Sequence, residues 1–129
     1  MKESTSKILD ILVERYPLLI SCKEDIKKAY LLLEETYKNG KKVLICGNGG
    51  SAADSEHIVG ELMKGFKKKR PINPTIYNEL SNFGDEGLKL QKALDGTLRA
   101  IALTSHLSLS TAFSNDKEPK GAFAQQLYG

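Results

Sequence analysis

The sequence predicts an α/β fold, in which a small parallel sheet is layered with helices, and three observations predict it. Two short apolar runs, residues 42–47 and 98–104, have the composition of strands buried on both faces. Stretches with helical apolar spacing precede, separate and follow these runs. A glycine turn stands immediately after the first run, where a strand passes into a helix; strands alternating with helices imply parallel pairing through right-handed crossovers.

Taken in order, residues 5–19 mix Ile8, Ile11, Leu12 and Leu19 with charges at helical spacing, and Pro17 should kink or end that helix. Ile26, Tyr30, Leu33 and Tyr37 share one face of a second helix over residues 23–38, which Asn39 and Gly40 stop. After the first strand comes Gly47-Asn48-Gly49-Gly50-Ser51, and Ser51 with Asp54 forms a helix-start signal for a helix running to Lys64. Residues 66–85 hold prolines and asparagines and read as an irregular excursion or lid. A short helix over 88–94, closed by Asp95 and Gly96, leads into the second strand, and helical pieces near 107–113 and 119–128 follow. One domain of 129 residues is expected, with a helical pair over 1–40 and an α/β part over 41–129. Only two strands are evident where sheets of this kind hold more, so the chain is expected to be a shortened form.

Composition narrows the function classes. Apolar residues make up 40% and charged residues 27%, values of a folded protein, which excludes disordered and fibrous readings. The longest stretch without Lys, Arg, Asp or Glu, residues 100–115, is rich in Ser and Thr and too short to span a bilayer, and the N-terminus lacks an apolar signal core. No membrane association is expected. Cys22 and Cys46 stand singly, as suits reduced, partly buried thiols in the cytoplasm. The net charge is +3, and the one basic cluster, Lys67 to Arg70, is a weak nucleic-acid signal that reads as a solvated helix end, with a phosphate-binding role as the alternative.

The strongest chemical signal is the strand, glycine turn and helix start between Val43 and Asp54. Exposed backbone N–H groups and the positive end of a helix attract an anion there, and phosphate is the natural guest. Glycine lets the backbone approach the ligand, while Asn48 and Ser51 add hydrogen-bonding side chains. The competing reading is a plain tight turn capped by Ser51. A Walker loop is excluded because no Lys follows the glycines. Gly47, Gly49 and Ala52 satisfy a dinucleotide spelling, but Lys67 to Arg70 and two prolines occupy the region where the acidic residue of that motif belongs. His57 and Glu61, four apart on the following helix, project from one side of it and could be two metal ligands or an ordinary surface pair. His106 reads as a solvated or capping histidine, and Asn115-Asp116 as a turn.

The run CGNGGSAADSEHIVGEL, residues 46–62, resembles the sugar isomerase (SIS) domain family, and within it the phosphoheptose isomerases. The resemblance extends less densely to the two leading helices, to residues 100–103 and to Ser114-Asn115-Asp116, with a divergent middle over 67–97; the chain is similar to the N-terminal two-thirds of such a domain. It implies a three-layer, flavodoxin- or Rossmann-like parallel sheet. By the same resemblance Asn48, Gly49, Gly50, Ser51, Asn115 and Asp116 contact a phosphorylated sugar, with the Asn-Asp pair on the loop after the second strand. His57 and Glu61 become catalytic and zinc-binding positions, Glu61 being the acid/base group. The implied reaction interconverts sedoheptulose 7-phosphate and a heptose 7-phosphate through an enediol. The zinc site is expected to be incomplete, since two ligands fall short of the usual three or four and the family's later Ser/Thr loop, Gln and His have no counterpart here.

Little or no turnover is therefore expected of these 129 residues alone. The alternative is a binding module without catalysis, either a phosphosugar sensor or a protein-interaction module like the DnaA-initiator-associating relatives; a nicotinamide-nucleotide oxidoreductase has only the glycine spelling in its favour. The leading helices carry more apolar surface than the small sheet covers, and the family packs such helices across subunits, so a homo-dimer or tetramer is expected.

Overall fold

The computed structural model describes all 129 residues, and its chain contacts group into two units, Met1–Lys41 and Lys42–Gly129. In the first, helix α1 (Glu3–Arg15) ends before Pro17, whose ring opens a 3-10 turn over Pro17–Cys22, and helix α2 (Lys23–Lys38) follows. Leu9 is the buried residue between them, and Lys23 ties to Asp10 at 2.7 Å. Much of this unit's apolar surface is uncovered: Leu18 is 93% exposed, and Ile8, Ile20 and Leu32 are exposed as well.

The second unit is built on a two-stranded parallel sheet, β1 (Val43–Ile45) beside β2 (Ala100–Ala102), with Val43 opposite Ala100 and Ile45 opposite Ala102. Helix α3 (Gly50–Met63) packs against β2. The residues buried there are small: Ser55, at 2% exposure, on the helix and Ala100 and Ala102 on the strand, which lets the two backbones approach. Ser55 Oγ donates to the Ser51 carbonyl at 2.7 Å and so satisfies its own burial. The strands are less buried than their composition suggests, because a sheet of two strands leaves faces uncovered: β1 is half-buried throughout and Ile101 is 43% exposed. Cys46, just beyond β1, is exposed and not partly buried, and both cysteines are free.

The segment read as irregular contains a helix. Asn73 caps α4 (Pro74–Leu80), its side chain accepting from the Thr75 amide at 2.8 Å, and Pro74 fits the first helical position because no partner is needed for a missing N–H there. A 3-10 turn then leads into α5 (Gly84–Ala93), which starts four residues earlier than the apolar pattern indicates. Gln91, buried on α5, holds this region with donations to the Tyr77 carbonyl at 2.5 Å and Ser81 Oγ at 2.8 Å. Arg70 departs from the solvated reading of the basic cluster: Nε donates to the Gly96 carbonyl at 2.6 Å and Nη2 to that of Leu62 at 2.7 Å, stitching the ends of α3 and α5 to the approach of β2. Helix α6 (Leu107–Asp116), a 3-10 turn over Pro119–Gly121 and α7 (Ala122–Tyr128) complete the unit. No helix is long and apolar enough to cross a membrane.

Candidate functional site

Parallel strands place their carboxyl ends side by side, and the site lies there. Gly47 and Thr104 each stand two residues beyond paired strand positions, Ile45 and Ala102. The register continues past the strands, since the Leu103 amide donates to the Ile45 carbonyl at 2.8 Å. From Gly47 the chain turns sharply into α3. Gly49 is the N-cap with φ 57° and ψ −126°, a conformation reserved for glycine, and a Cβ on Gly47 would meet the Ser51 carbonyl oxygen at 2.5 Å. The turn therefore needs glycine at two positions for two reasons, a dihedral and a close approach. Ser51 is not the cap: it is the second residue of α3, and no side-chain capping bond forms. The amides of Ser51 and Ala52 bond back to Asn48 and Gly49, whereas those of Asn48, Gly49 and Gly50 meet no carbonyl of the chain. These unmatched donors at the start of a helix of 14 residues are the electropositive feature that an anion seeks.

The turn opens on a cleft of about 430 Å³. Asn48 and Gly49 line it on one side; Thr104 stands at the sheet edge, Ser110 and Ser114 lie one turn apart on α6, and Lys120 sits on the 3-10 turn that follows. Ser110 Oγ accepts from Gln126 Nε2 of α7 at 3.1 Å, which leaves its own proton to donate. Glu118 accepts from the Lys120 amide, and the Lys120 ammonium forms no ion pair. Amides, hydroxyls and one cation without carboxylates in the lining make a surface suited to a phosphorylated polyol.

Not every residue singled out in the sequence meets in this cleft. Asn48 and Gly49 line it, and Gly50 and Ser51 form the first turn of α3 beside it. Asn115 and Asp116 are on the last turn of α6 and not on a loop, because nothing interrupts that helix before Lys117; Asn115 Nδ2 donates to Asp116 Oδ1 at 2.8 Å, and neither lines the cleft. His57 and Glu61 lie farther along α3, Glu61 about 16 Å from Gly50 at about 1.5 Å rise per residue. At roughly 100° per residue, Glu61 also stands roughly 180° round the helix from Ala52, which lines the cleft. Its carboxylate pairs with Lys64 at 2.9 Å in a partly exposed position, and His57 is exposed. The α3 carboxylate that does reach the site is Glu56, one turn after Ala52, whose Oε1 accepts from Thr104 Oγ1 at 3.1 Å. Sequence reasoning missed Glu56, Thr104, Ser110, Ser114 and Lys120; the i, i+4 pair of serines after the second strand was the available signal.

No three His, Cys, Asp or Glu side chains gather into an arrangement that could hold a metal ion. His57 and Glu61 offer two donors, one of them occupied by Lys64, against the three or four that zinc requires, so the residues of this chain do not by themselves fit a zinc site.

Comparison with known proteins identifies the family of this fold. A family model described as SIS domain matches residues 18–95, more than half of the chain. Phosphoheptose isomerase from Akkermansia muciniphila is 32% identical over 124 residues, covering 96% of this chain and 52% of that protein. The phosphoheptose isomerase of Clostridium acetobutylicum is 36% identical over 104 residues, covering 81% and 40%. Phosphoheptose isomerase GmhA from Neisseria gonorrhoeae superimposes with a TM-score of 0.53 at 26% identity, over 97% of this chain and 48% of that one. The chain thus spans about half the length of the relatives it matches, less than the two-thirds that its motifs suggest.

Proposed function

Because the chain belongs to the SIS domain family, we propose that its glycine turn grips the phosphate of a sugar as part of a phosphoheptose isomerase, the enzyme that interconverts sedoheptulose 7-phosphate and a heptose 7-phosphate. The observation that carries this reading is the set of unmatched amides at Asn48, Gly49 and Gly50, opening on a cleft walled by Ser110, Ser114 and Lys120. Lys120 and the amides hold the phosphate, and the hydroxyls of the cleft orient the polyol chain.

The reaction moves a proton between two neighbouring carbons through an enediol, so a base must stand within hydrogen-bond reach of the carbon that loses it. Glu61 is the base in this reading. Its place on the far side of α3 supports a role at a cleft other than the one its own helix opens, such as one presented by a second copy in a homo-oligomer. The exposed Leu18, Ile20 and Leu32 supply apolar surface for that assembly. His57 and Glu61 are two of the ligands a zinc ion would take. Free cysteines at Cys22 and Cys46 suit the cytoplasm.

Thermal unfolding with added sedoheptulose 7-phosphate tests the reading. A ligand at about one hundred times its Kd stabilises by about 2.7 kcal/mol, a rise in Tm of about 10 °C for a domain of this size. Stabilisation by sedoheptulose 7-phosphate without turnover would assign the 129 residues a binding role only. No shift with sedoheptulose 7-phosphate or inorganic phosphate would refute phosphosugar binding.

A further inference from the structure

Resting on that reading of the cleft, we propose that Glu56 is a positioning residue: through its hydrogen bond to Thr104 it selects a ligand bearing a hydroxyl group beside its phosphate over phosphate alone. The argument turns on the direction of one bond. A carboxylate can only accept, so in the 3.1 Å contact between Thr104 Oγ1 and Glu56 Oε1 the threonine donates. Its single proton is then committed to Glu56, and the oxygen presents only lone pairs to the cleft it lines. A phosphate oxygen, itself an acceptor, finds nothing to bind at Thr104. A sugar hydroxyl, which brings a proton, does.

Other polar groups of the cleft have the opposite sense. The Asn48, Gly49 and Gly50 amides can only donate, Ser110 has its proton free because Gln126 donates to its oxygen, and Lys120 brings positive charge. The negative charge of Glu56 behind Thr104 further disfavours an anion at the sheet edge and sends it to the glycine amides and Lys120. The cleft therefore offers two kinds of position: donors that take an anion, and the Thr104 oxygen, which takes a hydroxyl. Glu56 lies outside the lining, so it touches the ligand only through Thr104.

Isothermal titration of the full 129-residue chain with sedoheptulose 7-phosphate and with inorganic phosphate measures this selection as a ratio of affinities. Glu56→Ala frees the Thr104 proton, so the ratio is expected to fall roughly three- to tenfold, the worth of one oriented hydrogen bond, while the affinity for inorganic phosphate stays level or rises. Thr104→Val should lower the ratio as well, and Glu56→Ala added to Thr104→Val should change it less than Glu56→Ala does alone; Thr104→Ser should keep it. A merely structural role for Glu56 would weaken both ligands alike and leave the ratio unchanged, which overturns the proposal while phosphosugar binding stands. A wild-type chain that binds neither ligand overturns both readings together. Because Thr104→Val reports on the same bond from its other end, the test survives a variant at Glu56 that fails to fold.

Discussion

Replacing Gly49 by L-alanine and by D-alanine separates the backbone demand of the turn from the space around it. Gly49 holds φ 57° and ψ −126°, and no atom lies within 4 Å of the point where an L-residue Cβ would stand. Crowding therefore contributes nothing to the cost of Gly49→Ala, which is the dihedral penalty alone, about 1–3 kcal/mol. With about 2.1 cal/mol/K of unfolding entropy per residue, that penalty lowers Tm by roughly 4–11 °C. D-alanine adopts the same region without strain, so its variant should melt close to the parent. Ligation at Cys46 gives chemical access to the D-residue, joining a thioester of residues 1–45 to a synthetic 46–129, and circular dichroism melts provide the readout. The L-variant should also bind inorganic phosphate more weakly, because relaxing the strain rotates the amides on either side of Gly49. Equal melting temperatures for the L- and D-alanine variants would refute the claim that the turn requires this conformation.

Four further outcomes follow from named contacts. Arg70→Lys loses the fork that reaches the Leu62 and Gly96 carbonyls and should destabilise the chain by about 1–3 kcal/mol in urea unfolding, a larger loss than Lys67→Ala on the exposed part of the cluster. Asn73→Ala should cost about 1 kcal/mol by removing the cap of α4, with Asn73→Asp near neutral, both read from the same unfolding curves. Lys120→Met should weaken sedoheptulose 7-phosphate roughly two- to fivefold in titrations at low salt, with the difference shrinking as salt is raised. Glu61→Gln should leave phosphosugar affinity of this chain within about twofold, since the carboxylate stands away from the cleft, while in a catalytically competent parent it should abolish turnover measured by ketose consumption.

What the sequence made legible was whatever is local along the chain. Helix α2 occupies residues 23–38 as expected, because Ile26, Tyr30, Leu33 and Tyr37 mark one face and Asn39-Gly40 stops it. The glycine turn was equally plain, since its demand on Gly47 and Gly49 is a property of five consecutive residues. Helix α4 was hidden by its proline: Pro74 reads as a breaker until Asn73 is recognised as the cap that makes it a first helical residue. Burial of the strands was overstated because a run such as Val43 to Ile45 specifies a strand without saying how many neighbours the sheet supplies, and here there is one. The far wall of the cleft was illegible for a different reason. Thr104 and Lys120 are polar residues of ordinary composition, and only the parallel register of β1 with β2 and the return of the chain after α6 bring them to a turn more than fifty positions earlier.

Helix α3 shows why a motif read as one string divides into two surfaces. Residues 46–62 look like a single signature, yet helical rotation sorts its polar members. Ala52 and Glu56 follow the face turned to the cleft and to Thr104, while His57 and Glu61 rotate onto the other side, Glu61 pairing there with Lys64. Four-residue spacing guarantees that His57 and Glu61 share a face, but it says nothing about whether that face is the one the glycine turn serves. The length of the helix adds to that separation: about three turns of α3 lie between the unmatched amides at its start and Glu61, which stands on the opposite side from Ala52. In the proposed reading, with Glu61 as the base, this separation is what points to a cleft completed by a second copy.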